Sequence, residues 1–116
     1  MQIHQKKYGE ILTLRVENDR IDAASAIEFK DQMRAAAQNL PPRVILDLRN
    51  VTFVDASGLG AIVNAKKTMG AKTQFDLCGL NGAVDKVFKL TRMDSVFDIY
   101  SRLDQALTDP ETHSES

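Results

Sequence analysis

The chain has 116 residues, 43% of them hydrophobic and 27% charged, with a formal net charge of −1. That is the length of one domain with a globular balance, which argues against a disordered chain and offers no overall field to draw in nucleic acid or an anionic membrane. No apolar run approaches the ~18 residues of a membrane span, the N-terminus lacks the apolar core of a signal peptide, and the single cysteine, Cys78, rules out an internal disulfide or a zinc cluster; cytoplasm is the expected compartment.

Residues 3–6 read as a first edge strand. Tyr8-Gly9-Glu10 reads as a tight turn in which glycine supplies a positive φ. In residues 11–16, Leu12, Leu14 and Val16 share one face while Thr13 and Arg15 share the other, which is strand periodicity. These two strands are expected to pair as an antiparallel hairpin. A polar loop, 17–22, follows. A helix is expected from Asp22 or Ala23 to about Gln38, with Ala26, Ile27, Met33, Ala36 and Ala37 on its apolar stripe and Phe29 at the edge; Pro41 and Pro42 end it. The near-continuous apolar run of 44–48, Val-Ile-Leu-Asp-Leu, reads as an interior parallel strand.

Residues 53–60, Phe-Val-Asp-Ala-Ser-Gly-Leu-Gly, read as the start of a helix. The Asp55 carboxylate can cap it by accepting from free N–H groups of the first turn. Ser57 falls in that turn, near the positive end of the helix dipole, where backbone N–H groups could meet a phosphate. Gly58 and Gly60 each cost about 1 kcal/mol against alanine inside a helix, and their missing side chains let another backbone come close. The helix continues through Leu59, Ile62, Val63, Lys66, Lys67 and Met69 to Gly70, a natural residue for its end. A strand at 74–79 turns Phe75 and Leu77 inward, and a helix at about 81–90 buries Val84, Val87 and Phe88. A turn at 91–95 leads to a short strand at 96–100. Ser101 caps a closing helix through Leu107, and 108–116 is a polar tail. Strands alternating with helices imply a largely parallel sheet with the helices mainly on one face.

The stretch Asp55-Ala56-Ser57-Gly58-Leu59-Gly60, behind its apolar strand and the Phe53-Val54 lead-in, resembles the Asp-Ser-Ser/Thr-Gly-Leu-Gly motif of the STAS family, the bacterial anti-sigma-factor antagonists. Five of the six positions fit, and the resemblance covers roughly residues 3–107. It implies a STAS domain over 1–107, built as a mixed, mostly parallel four- to five-stranded sheet with helices packed mainly on one face. It also implies a binding protein rather than an enzyme, without a cofactor of its own. The unmodified form would bind an anti-sigma factor that is a serine kinase of the GHKL type, and so release a sigma factor. Phosphorylation by that partner would end the binding, and a phosphatase is a further partner the resemblance allows. The partner-binding residues it implies are Asp22, Asp55, Ala56, Ser57, Gly58, Leu59 and Gly60. Ile21-Asp22 matches the end of the family's Gly-x-Leu/Ile-Asp pattern; with the glycine absent, Asn18 or Asp19 is left to take a positive φ.

One position departs from the pattern. The family's phosphorylated serine directly follows the aspartate, and Ala56 stands there. Ser57 occupies the second hydroxyl position and is the phosphorylation candidate. The same departure opens a rival reading, a non-phosphorylated STAS subunit of a membrane lipid-transport complex packed against a transporter ATPase.

No catalytic constellation accompanies the motif. His4 lies near the N-terminus and His113 in the tail. Asp55 stands where a nucleophile elbow needs glycine. Lys66 and Ala71 stand where a P-loop ending in Lys72-Thr73 needs glycines, and Gly58-Leu59-Gly60 does not complete a dinucleotide fingerprint. No metal site is expected. Outside the motif, Lys66 and Lys67 read as a solvated helix face, Cys78 as a small buried hydrophobe and Met69 as core. The resemblance puts Met93 near the partner-facing end.

Overall fold

The computed structural model describes residues 1–108. Its strands are β1 (Ile3–Tyr8), β2 (Ile11–Val16), β3 (Arg20–Ile21), β4 (Arg43–Asp47), β5 (Phe53–Val54), β6 (Gln74–Cys78) and β7 (Ile99–Tyr100). Its helices are α1 (Ala26–Ala36), α2 (Ala56–Met69), α3 (Gly82–Leu90) and α4 (Leu103–Thr108), with a 3-10 turn at Met93–Ser95. The main sheet has five strands in the order β1-β2-β4-β6-β7. β1 pairs antiparallel with β2 through the Gly9-Glu10 turn, Gly9 at φ +62°; every other pairing in the sheet is parallel. β3 and β5 form a separate parallel pair, Arg20 opposite Phe53 and Ile21 opposite Val54.

Alternation divides the sheet into two faces. Leu12, Leu14, Val16, Val44, Leu46, Phe75 and Leu77 face the larger core, which α1, α2 and α3 complete with Phe29, Met33, Ile62, Met69, Val84 and Phe88. Phe97 stands edge-on to both Phe75 and Phe88, at 6.1 and 6.2 Å between ring centroids, tying the 3-10 turn to the sheet and α3. The opposite face holds a smaller cluster of Ile45, Cys78 and Ala106, covered by α4. Beneath α4, buried Arg43 donates from Nε to Asp76 Oδ2 at 2.9 Å and from a terminal nitrogen to the Ala106 carbonyl at 2.7 Å. Burial pushes the Asp76 carboxyl up, and Arg43 pulls it back. The Cys78 thiol, buried beside Asp47, is pushed up to about 12 and so stays protonated.

Several expectations are corrected. α1 begins at Ala26, not at 22 or 23, because residues 22–25 are held in turns by the Asp22 carboxylate; it ends at Ala36. Its phase also differs. Phe29 is fully buried and Ile27 is 73% exposed, since Phe29 and Met33 set the inward stripe and alanines on both flanks left the phase open in the sequence. Asn18 and Asp19 have negative φ; among the described non-glycine residues only Arg92 is positive, at 61°. The Asp19 carbonyl instead accepts from the Thr52 and Phe53 N–H groups, which aligns β3 with β5. Val87 is half-buried rather than core. Val96 ends the 3-10 turn and β7 starts only at Ile99. α4 starts two residues beyond Ser101 and takes in Thr108; the rest of the expected tail lies outside the described residues.

Candidate partner-binding site

β3 and β5 run side by side and end together, so the loop after Ile21 and the start of α2 emerge as neighbours. Asp55 binds the two. Its Oδ1 accepts from Gly58 N–H at 2.8 Å, capping α2, and its Oδ2 accepts from Ala23 N–H at 3.1 Å, across 32 positions of chain. Asp22, one residue before that amide, is engaged locally. Its Oδ1 accepts from the Ala24 and Ser25 N–H groups, and its Oδ2 from Arg20 Nε at 3.2 Å. The Arg20 guanidinium holds the Asp22 carboxyl below its usual range. Arg20 also lies over the Phe53 ring, 4.3 Å from its centroid.

The two motif glycines have different reasons to be glycine. A Cβ on Gly58 would stand 1.8 Å from the Ile21 carbonyl oxygen, so α2 touches β3 only because that side chain is missing. A Cβ on Gly60 would meet nothing within 4 Å, and Gly60 is exposed at an ordinary helical φ. Nothing within the described residues requires it. Ala56 and Ser57 are exposed beside it, and Leu59 is half-buried. With the Gly58 N–H taken by Asp55, the first turn keeps the N–H groups of Ala56 and Ser57 for an anion.

A shallow concavity spreads from this start along α2. Ala56, Ser57, Leu59 and Gly60 line it, with Val63, Asn64 and Lys67 further on, Ala23, Ala26 and Lys30 from the α1 side, and Met93 from the turn after α3. The left-handed backbone of Arg92 sets the 3-10 turn that presents Met93, half-buried, at this rim.

A family model of the STAS domain matches residues 2–106. The chain belongs to the STAS-domain family. A curated relative, the anti-sigma F factor antagonist of Paenibacillus polymyxa, is 27% identical over 116 residues, covering 98% of each chain. A STAS-domain containing protein of Pseudomonas aeruginosa is 28% identical over 92 residues, 78% of this chain and 89% of the relative. Among solved structures, an anti-sigma factor antagonist from Mycobacterium paratuberculosis superposes with a TM-score of 0.84 at 25% identity, covering 92% of this chain and 91% of that one.

In this STAS domain, the residues singled out from the sequence gather around the α2 start: Ala56, Ser57, Leu59 and Gly60 line the concavity, half-buried Asp55 ties its α2 end to the Ala23 amide next to Asp22, and Gly58 is buried. Lys67 lines the concavity, whereas Lys66 lies over the Phe97 ring at 5.8 Å from its centroid. The sequence reading missed Ala26 and Lys30, which reach the site through helix packing, and no local signal marks them. Among the described residues no helix is long and apolar enough to cross a membrane, and no three His, Cys, Asp or Glu residues gather where they could hold a metal ion.

Proposed function

We propose that this STAS domain is an anti-sigma-factor antagonist that binds a kinase-type anti-sigma factor over the start of α2. Gly60 carries the reading. It sits exposed in a helix that it weakens by about 1 kcal/mol, with open space where a side chain would stand, and its bare backbone suits the close approach of a second protein. The names of the relatives at 27% and 25% identity supply the partner class. Asp22, Asp55, Ala56, Ser57, Leu59 and Gly60 are the contact residues in this reading, and Gly58 supports them from below.

Ser57 is the proposed phosphate acceptor. Its hydroxyl is exposed and makes no hydrogen bond to a described residue, whereas Ala56 offers only a methyl group. A phosphate there adds roughly −1.5 to −2 charges. The Ala56 and Ser57 N–H groups favour it and the Asp55 carboxylate opposes it, and its bulk on a docking surface displaces the partner. Incubation with the cognate kinase-type anti-sigma factor and ATP, followed by intact-mass measurement, tests this. Wild type should gain one phosphate that Ser57→Ala lacks. An unmodified wild type beside a phosphorylated Ala56→Ser would remove Ser57 as acceptor. It would mean that the switch is lost and the chain binds the kinase constitutively, whereas failure of both proteins to be modified would favour the second reading, a non-phosphorylated binding module of a membrane lipid-transport complex, for which Ala56 is the motivating residue.

A further inference from the structure

Two lysines border the concavity without an ion-pair partner among the described residues. Lys30 is half-buried on α1 and Lys67 is exposed on α2. Of the other cations on the helices, Arg34 pairs with Asp31, Lys89 pairs with Asp85 and Lys66 lies over Phe97; Lys86 on α3 does not line the concavity. Apart from Asn64, the rest of the lining is apolar or small, with Leu59, Val63 and Met93 as its larger members. Lys67 cannot serve a phosphate on Ser57 directly, because ten residues of helix separate them, about 15 Å of rise. Asp22 and Asp55, at the other end, are tied up by Arg20 and by backbone amides. Away from Asp22 and Asp55, the charges that line the concavity are therefore the two lysines, and they flank a largely apolar strip.

We propose that Lys30 and Lys67 are specificity-determining residues that select a partner segment presenting apolar anchors flanked by carboxylates. This rests on reading the concavity as a partner site, and adds the charge rule by which one partner is preferred to another. Lysines at a rim pair with carboxylates as the apolar anchors dock, and they repel a basic segment of the same shape.

The test uses two synthetic helical peptides with identical leucine anchors, one flanked by glutamates and the other by lysines, titrated into the 15N-labelled full chain. The glutamate peptide should shift the amides of Lys30, Gly60 and Lys67 and bind at least about tenfold more tightly than the lysine peptide, a preference that fades with salt. The Lys30→Glu/Lys67→Glu double variant should reverse the order, while Lys7→Glu on β1 should leave it unchanged. Equal binding of both peptides, or shifts confined to another surface, overturns the proposal. So does concentration-dependent self-association that the double variant abolishes, since a second copy would then occupy the concavity. The outcome is separable from the partner class. A kinase-type anti-sigma factor that binds wild type and the double variant equally overturns the charge rule alone. A chain that shows the peptide preference but binds no such kinase supports the charge rule and removes only the partner class.

Discussion

At the residue scale, Gly58 and Gly60 show how one short motif serves two ends. Gly58 exists for the chain's own packing, so Gly58→Ala forces its methyl into the Ile21 carbonyl and should cost about 1–3 kcal/mol or more in urea unfolding. Gly60→Ala meets open space and should gain up to about 1 kcal/mol. Gly60→Arg should leave the thermal midpoint nearly unchanged yet abolish binding of the partner; a folded Gly60→Arg chain that binds normally would refute the docking surface. The motif was legible because capping and glycine cost are local chemistry. What was not legible is which glycine faces inward, since that depends on Ile21, which arrives through the pairing of β3 with β5.

At the element scale, α4 turns the polar face of the sheet into an interior. Arg43 and Asp76 sit on strands whose other faces are apolar; in the sequence Asp76 falls between the inward Phe75 and Leu77, and Arg43 lies just ahead of the 44–48 run. The short closing helix buries them to 4% and 2% exposure, and the Ala106 carbonyl accepts from one terminal nitrogen of the guanidinium. Breaking such a pair leaves a charge without its partner in the interior. Arg43→Met alone should therefore cost about 3–5 kcal/mol, whereas Arg43→Met with Asp76→Leu should recover much of that. Denaturant midpoints of the two variants check it; equal losses would mean that the pair carries no coupling. The phase of α1 was hidden for a related reason. Ile27 and Phe29 are both apolar, and only packing against the sheet chooses the ring.

At the scale of the whole molecule, β4 joins the two cores. Val44 and Leu46 belong to one, Ile45 to the other, and Arg43 anchors α4 from the same strand. Neither core can lose this strand and survive alone, so unfolding should be a single transition. In a Tyr8→Phe variant, Tyr100 packs against the small core and reports on it by fluorescence, while far-ultraviolet circular dichroism reports mainly on the helices of the large one. The two denaturation curves should superimpose, and a fluorescence midpoint at lower denaturant would mean that α4 leaves first. The order of strands and helices was readable from hydrophobic period alone, because parallel β-α alternation leaves long apolar runs. The separate β3–β5 pair was not, because each strand has only two residues.

Asp55 also makes the site observable without a probe placed on it. One carboxylate holds the amide of Ala23 and the amide of Gly58, so two protons far apart in sequence share an acceptor. Whatever pulls that carboxylate toward a docked protein, or a phosphate that repels it, loosens both protons together. The Ala23 resonance thus becomes a remote gauge of events at the head of α2, and paired changes in its solvent exchange and that of Gly58 distinguish engagement there from a perturbation of the α1 loop alone.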